Sequence, residues 1–324
     1  MIRIITVNWK GYSDTLECLE SLLAADLPPR TIIVVADNES NQELSNKTLD
    51  NLINKINGHH EKIEHDEVLI VRHKDIEIHW ICIPTNTGYS RANNIGAIYS
   101  DKLHGISFEY TWLLNNDTII DKHALTSMIN RMKEDANNKI CGSVLLYYDE
   151  KTTIQSTGVK YNKYNAKGLN INNNKDYLST KPKIRALSPD FVVGASILIE
   201  NKFFTRVGYL SEDYFLYFEE IDLSQKMLPN EKIVVCEESL VYHKEGASIG
   251  TNTRQQSSPT SIYHYTISSL IFTKKHFKYI FPIVVAIYTA KLILFIAQKN
   301  KDKTKGLGLA LKDFFTRNRR IGKI

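Results

Sequence analysis

Three carboxylates crowd into four residues at Glu219, Glu220 and Asp222, directly behind the aromatic run Tyr214-Phe215-Leu216-Tyr217-Phe218. Mutual repulsion and partial burial raise the pKa of one member of such a group, which suits a general base for a hydroxyl. The competing reading is a helix N-terminus whose dipole favours acidic side chains. Asp117 closes Asn115-Asn116-Asp117 and offers a hard oxygen ligand for Mg2+ or Mn2+; a lone Asp there is also an ordinary turn residue. Asp37 follows the apolar run 31–36, where a carboxylate can accept an imide N–H of a pyrimidine while Asn38 and Ser40 order the turn, or simply form an Asx-turn. His243, inside Val241-Tyr242-His243-Lys244-Glu245-Gly246-Ala247-Ser248, can complete a metal site or touch a diphosphate, with Lys244 adding charge. A single His is otherwise an ordinary hydrogen-bonded side chain.

These residues must be held by strands and helices. Residues 1–7 and 31–36 are short β-branched runs, and Leu16, Leu19, Leu22 and Leu23 between them have helical spacing. Ser13 or Asp14 is the expected N-cap and Pro28-Pro29 the stop. That βαβ unit implies a parallel sheet covered on both faces, with ligands at the strands' C-terminal ends. Further expected elements are a helix over 41–56, strands over 76–83, 110–114, 140–147 and 191–200, a helix over 122–134 and a helical turn from Phe203 to Val207. The turn Asn86-Thr87-Gly88 feeds a helix whose N-terminus faces an anion. Residues 58–74 contain His59, His60, His65 and His73, but the spacing fits no compact ligand set, so a solvated insertion or edge hairpin is expected. Residues 149–189 read as hairpins and loops forming a mobile acceptor-side flap.

Composition narrows the classes. The 324 residues, 43% apolar and 24% charged, exclude wholesale disorder and a polytopic membrane protein. Cys18, Cys82, Cys141 and Cys236 lie far apart without a CxxC pair, which suits small buried residues in a reduced cytosol. The net charge of +5 is uneven: up to Thr273 there are 28 basic and 34 acidic residues, and from Lys274 onward 13 and 2. An acidic body with a basic, partly apolar end points to an anionic membrane surface and away from nucleic acid. The opening Ile-Arg-Ile-Ile-Thr-Val has no charged segment leading into an apolar one, so it reads as mature protein. GxGxxG, P-loop and G-x-S-x-G patterns do not occur at the places that would give them meaning, and Lys10-Gly11 is too little for a nucleotidyltransferase phosphate loop.

In order, Val7-Asn8-Trp9, Asp37-Asn38-Glu39-Ser40, the stretch from Asn86 to Asn94, Leu113-Leu114-Asn115-Asn116-Asp117-Thr118, Gly194-Ala195 and Phe215 to Leu223 with His243 behind them resemble the family 2 inverting glycosyltransferases, in particular the bacterial rhamnosyltransferase-like branch. The resemblance implies a GT-A fold: α/β, Rossmann-like, with a mixed, mostly parallel sheet and helices on both faces. It places a nucleotide-binding half in 1–118 and an acceptor half in 119–273, ahead of a basic helical tail over 274–324. It further implies nucleotide-sugar contacts from Thr6, Asn8, Asp37, Asn38, Asn86, Gly88, Arg91, Asn94 and Asn116, with Asp117 and His243 on a divalent cation. Glu220 stands at the presumed base, where the branch usually has Asp, so Glu219 and Asp222 compete for the role. Arg91 or Lys244 would absorb charge on the leaving group. Tyr263-His264-Tyr265 is followed by Thr266, where relatives often carry Arg-Asn. The activity implied is metal-assisted transfer, by direct displacement with inversion, of a rhamnose-like or other hexose from a nucleotide-diphosphate sugar to a lipid-linked or polysaccharide acceptor. A catalytically silent sugar-nucleotide or glycan binding subunit is the alternative.

Residues 279–297 are apolar over nearly a bilayer's thickness but contain Pro282 and Lys291 and have lysines on both flanks. An interfacial helix is expected, followed by a second basic amphipathic segment over 306–320, on the inner face of the cytoplasmic membrane. A helix pair packed on the catalytic domain comes second, and a transmembrane anchor third.

Overall fold

The computed structural model describes residues 1–55, 60–65, 68–103, 107–244 and 258–317. His59, residues 245–248 of the motif around His243, and residues 318–320 of the expected basic segment lie outside the described residues.

The first half runs β1 (Ile2–Asn8), α1 (Tyr12–Ala24), β2 (Ile32–Asn38), α2 (Gln42–Lys55), the hairpin β3 (His60–His65) and β4 (Val68–His73), then β5 (Ile76–Ile83), α3 (Tyr89–Asp101) and β6 (Tyr110–Leu114). There follow β7 (Thr118–Ile120), α4 (Ala124–Lys133), β8 (Asn138–Tyr147), β9 (Ile154–Ser156), the hairpin β10 (Val159–Asn162) and β11 (Lys167–Asn170), and α5 (Tyr177–Ile184). The remainder is β12 (Ser196–Glu200), α6 (Asn201–Arg206), α7 (Glu219–Ser224), β13 (Lys232–His243), α8 (Pro259–His276), α9 (Phe281–Ala297) and α10 (Lys301–Thr316).

One mixed sheet has the order β3-β4-β5-β2-β1-β6-β12-β8-β13-β7, with β9 paired to β8. β5, β2, β1 and β6 are parallel, as are β8 and β13, and β12 is inserted antiparallel between the two groups. All seven residues of β2 are buried, as a strand covered on both faces requires. Its side chains alternate between two cores. Ile33 and Val35 join Trp80, Trp112 and residues of α1, α2 and α4, while Val34 and Ala36 join Ile5, Phe203, Phe204 and residues of α3. The expected α/β class with a mostly parallel sheet and helices on both faces is therefore what the chain forms, and the histidine-rich stretch is an edge hairpin.

Several expected boundaries move. α1 starts at Tyr12 behind Gly11, and neither Ser13 nor Asp14 caps it. Asn8 Oδ1 accepts from the Gly11 N–H at 3.1 Å and fixes the turn earlier, which leaves Asp14 in the first helical turn. The strand expected over 191–200 begins only at Ser196, because the Ser196 N–H folds back to Val193 O at 3.3 Å. That bend carries Gly194 into the cleft described below.

At the C-terminal end, α8 was not anticipated, and a division after Thr273 falls inside it. α8, α9 and α10 pack together through Leu270, Val284, Tyr288 and Leu307, and α8 meets α10 again through Tyr263, Ile267 and Ala310. Only Val284 and Tyr288 of α9 are buried, while Ile283, Ile293, Leu294 and Ile296 are exposed. No helix among the described residues is long and apolar enough to cross a membrane.

Candidate active site

A cleft of about 690 Å³ opens at the C-terminal ends of β1, β2, β5 and β6 and runs toward α8, α9 and α10. Its floor comes from loops whose shapes are dictated by a few residues. Gly88 adopts φ 83°, which favours glycine. A Cβ there would also stand 2.5 Å from Phe215 O, which accepts the Tyr89 N–H at 2.9 Å. The aromatic run ends in two non-glycine residues in the left-handed region, Tyr217 at φ 68° and Phe218 at φ 73°. Burial of Tyr214 and Phe218 against Phe272, with Tyr161 and Tyr265 beside them, holds this strained turn. The turn aims Glu219 and Glu220, the first residues of α7, at the cleft.

Glu220 Oε1 accepts the Gly194 N–H at 2.9 Å. Tyr89 backs the same loop by donating its hydroxyl to Gly194 O at 2.9 Å. Glu219 is 3% exposed, and its Oε2 has no hydrogen-bond partner among the described residues. Burial, reinforced by the neighbouring Glu220, raises the Glu219 carboxyl far above the usual range. Burial also raises Glu220, but the Gly194 N–H favours its ionised form and limits the rise. Both carboxyls are thus pushed upward, and only Glu220 accepts a backbone N–H from across the cleft.

Asp222 turns away from the cleft. It is fully buried, contacted by Tyr214 Oη at 3.0 Å, Lys275 Nζ at 3.1 Å and His276 Nε2 at 2.7 Å. Burial works to raise its pKa, but the hydrogen bonds from His276 and Lys275 win and hold it at about 2. A carboxylate so committed is a clamp between α7 and α8, which removes Asp222 from the candidates for the base.

Asp117 lies at the cleft with His243, the His243 Nε2 standing 3.2 Å from Asp117 Oδ1. Gln155 Oε1, 2.9 Å from His243 Nδ1, orients the ring so that Nε2 faces Asp117. Adjacent ligands around an octahedral ion with bonds near 2.1 Å stand about 3.0 Å apart, so the two donors fit a divalent cation. Among the described residues no group of three or more metal-ligating side chains assembles. A cation here would draw its other ligands from water and a bound diphosphate, the usual arrangement for Mg2+.

Asn38, Asn86, Gly88 and Asn116 also line the cleft. Asn38 donates to Asn86 Oδ1 at 2.9 Å, and Asn116 donates to Thr15 Oγ1 at 2.9 Å. Other expected contacts lie off it. Asp37 is fully buried beneath the floor, with donors on both oxygens: Asn8 Nδ2 on Oδ1 at 2.7 Å, and Ser45 Oγ at 2.6 Å and Trp80 Nε1 at 3.1 Å on Oδ2. It ties the ends of β1 and β2 together and does not itself line the cleft. Asn8 is spent in the same network, and Thr6 is fully buried. Asn94 clasps the Leu210 backbone, with N–H···O contacts of 2.9 and 3.1 Å, and Arg91 lies on the surface 3.9 Å from Glu212. Lys244 is bound by Asp14 and Glu17, each at 2.8 Å. Neither cation expected to meet the leaving group lines the cleft.

Sequence reasoning missed Gly194 as a donor, Gln155 behind His243, and the wall made by α8, α9 and α10. His264, stacked on Phe215 at 4.7 Å, stands in that wall with Tyr265 and Tyr288. The Gly194-Ala195 pair and Tyr263-His264-Tyr265 were visible signals, but nothing local states that they meet.

The sheet with its inserted antiparallel strand, and a carboxylate–imidazole pair at one end of the cleft with a carboxyl dyad in the same lining, define a GT-A glycosyltransferase domain. Residues 3–199 match the family described as glycosyl transferase family 2, and the chain belongs to that family. Over 223 residues it is 27% identical to the low-salt glycan biosynthesis hexosyltransferase Agl10 of Haloferax volcanii, covering 68% of this chain and 59% of that protein. The chain thus spans under two thirds of this relative's length. Among solved structures, the mannosyltransferase PcManGT from Pyrobaculum calidifontis, in complex with GDP-Man and Mn2+, superposes with a TM-score of 0.56 at 9% identity, over 98% of this chain and 88% of that one. GalNAc-T7 with UDP, GalNAc and Mn2+ gives 0.55 at 14% identity, over 83% of this chain and 47% of that one. At such identities the likeness establishes the fold.

Proposed function

We propose that this chain moves a hexose, rhamnose-like or other, from a nucleotide-diphosphate sugar to a hydroxyl of a lipid-linked or polysaccharide acceptor, with inversion at the anomeric carbon. The observation that carries the reading is the Glu220 carboxylate, held by the Gly194 N–H in the same cleft as Asp117 and His243. The hexosyltransferase relative supports the sugar class.

Asn38, Asn86 and Asn116 bind the nucleotide sugar from the floor of the cleft. Glu220 takes the proton of the acceptor hydroxyl as that oxygen bonds to the anomeric carbon, and the bond from that carbon to the diphosphate oxygen breaks on the opposite face. The nucleoside diphosphate leaves with the electron pair. A divalent cation held by Asp117 and His243 would neutralise charge developing on the diphosphate. Glu219, whose carboxyl burial and Glu220 push far upward, stands beside the base. No covalent intermediate is required.

The expected boundary at Thr273 falls inside α8, and residues beyond it line the cleft, so membrane contact is assigned to the outer face of α9 alone. α9 exposes Ile283, Ile293, Leu294 and Ile296 and is flanked in sequence by exposed Lys274, Lys278, Lys299 and Lys301. Apolar side chains framed by lysines suit the cytoplasmic, anionic surface of a membrane.

Donor hydrolysis and transfer, followed for a panel of UDP-, dTDP- and GDP-sugars with Mn2+, test the reading. Turnover lost in Glu220→Gln and in Asp117→Ala is expected. Tight nucleotide-sugar binding with no turnover for any donor would instead make the chain a silent binding subunit.

A further inference from the structure

Three lysines face the cleft from its α9–α10 side: Lys167 on β11, Lys291 on α9 and Lys303 on α10. None forms an ion pair with a carboxylate among the described residues, whereas Lys232, Lys244 and Lys275 do. Lys291 Nζ lies 4.9 Å from the Tyr288 ring centroid and Lys303 Nζ 5.6 Å from that of Phe295, so both heads are steered by aromatic faces. Like charges that share one lining without an ion-pair partner are unfavourable in the ligand-free protein. Burial, and then Lys167, lower the Lys291 ammonium pKa. An anion seated among the three would relieve that repulsion.

We propose that Lys167, Lys291 and Lys303 form an anion subsite for the phosphate or diphosphate that an acceptor carries. This inference rests on the transferase reading and names the class of its acceptor. The subsite belongs to the C-terminal helices and β11, whereas Asp117 and His243, the groups suited to the donor diphosphate, stand at the ends of sheet strands. Ile262, Phe295 and Leu307 line the same wall and give an apolar bed beside the charge. That wall is continuous with α9, whose outer face is apolar and exposed, so a phosphate reaching the cleft from this side can arrive on a lipid.

Binding is measured on the full chain by intrinsic fluorescence and calorimetry, in EDTA, with three probes: inorganic pyrophosphate, glucose 1-phosphate, and farnesyl diphosphate in phosphatidylcholine vesicles. The wild type should bind pyrophosphate without metal. Lys291→Gln/Lys303→Gln should bind it roughly 30-fold more weakly, the loss of two charge-assisted contacts in a partly solvated site. Lys312→Gln, which removes an exposed charge of α10 that does not line the cleft, should bind like wild type. Farnesyl diphosphate binding more tightly than glucose 1-phosphate identifies a lipid-borne source, and the reverse a soluble phosphosugar. Equal pyrophosphate affinity in the wild type and the double variant overturns the subsite. So does a parallel loss of nucleotide-sugar affinity with Mn2+, which would assign the lysines to the donor. If the wild type binds nucleotide sugar but not pyrophosphate, the subsite alone fails; if it binds neither, the transferase reading fails as well.

Discussion

Gly194→Ala adds a single methyl group where the loop before β12 touches the dyad. Built on this backbone, the methyl overlaps Glu220 Oε1 and lies 3.2 Å from Glu220 Cδ. The carboxylate must move, and its 2.9 Å hydrogen bond from the Gly194 N–H lengthens or breaks. The obstructing atoms are the end of a flexible side chain, so the fold loses only about 1–2 kcal/mol. Catalysis loses more. A positioned base contributes roughly 10²–10⁴ in rate, and misplacement by about 1 Å costs on the order of 100-fold. We expect kcat about 100-fold lower with donor KM little changed. Because the N–H bond favours the ionised carboxyl, its loss raises the Glu220 pKa further. The acid limb of the rate profile therefore moves to higher pH. Initial rates across about pH 5 to 9 read both effects. In the Glu220→Gln background the alanine should add almost nothing, since the two changes remove one function. A kcat within threefold of wild type, an unmoved acid limb, or full additivity in the double variant would refute the argument.

Other outcomes follow from the same geometry. Glu219 has its pKa raised by burial, so its contribution to stability is complete below the unfolded-state pKa and is lost as pH rises through the folded one. Glu219→Gln should therefore melt higher than wild type at pH near 8 and show little difference near pH 4 by calorimetry, and an identical profile would count against a buried protonated carboxyl. Asp222 is the opposite case: held at about 2, it stabilises above the ordinary carboxylate pKa and loses that stability as pH falls toward 2. Asp222→Asn should cost about 2–3 kcal/mol at pH 7 in urea unfolding, because it strands Lys275 and His276 beside an uncharged partner. With only Asp117 and His243 as protein ligands, Mn2+ alone should barely raise the melting point, whereas Mn2+ with UDP or GDP at about 100 times the dissociation constant should add about 2.7 kcal/mol; a large shift with Mn2+ alone would point to further ligands. Ile293→Asp/Leu294→Asp should abolish sedimentation with vesicles containing anionic lipid while leaving donor hydrolysis in solution intact.

Much of the fold was written locally. Continuous apolar β-branched runs such as 31–36 can only be strands covered on both faces, and the leucine spacing between 16 and 23 can only bury a stripe as a helix. Periodicity is a property of neighbours in sequence, so β1, β2, β5, β6, α1, α2 and α4 fell close to where the residues put them. The three carboxylates at Glu219, Glu220 and Asp222 were legible for the same reason, since charge crowding behind an aromatic run is local. Membership of glycosyl transferase family 2 was carried by the order of short motifs.

Which carboxylate faces the cleft depended on contacts across the chain. Glu220 is selected by an N–H twenty-six positions away, and Asp222 is withdrawn by His276, fifty-four positions away. Asp37 was expected at the ligand, but Asn8, Ser45 and Trp80 converge on it only once the sheet is assembled. Arg91 and Lys244 carry charge in any conformation, yet Glu212, Asp14 and Glu17 decide where that charge points. Spacing in sequence fixes which atoms are available and which local element carries them. Electrostatic pairing and burial, which decay over a few ångströms of space and ignore distance along the chain, fix which of those atoms meet.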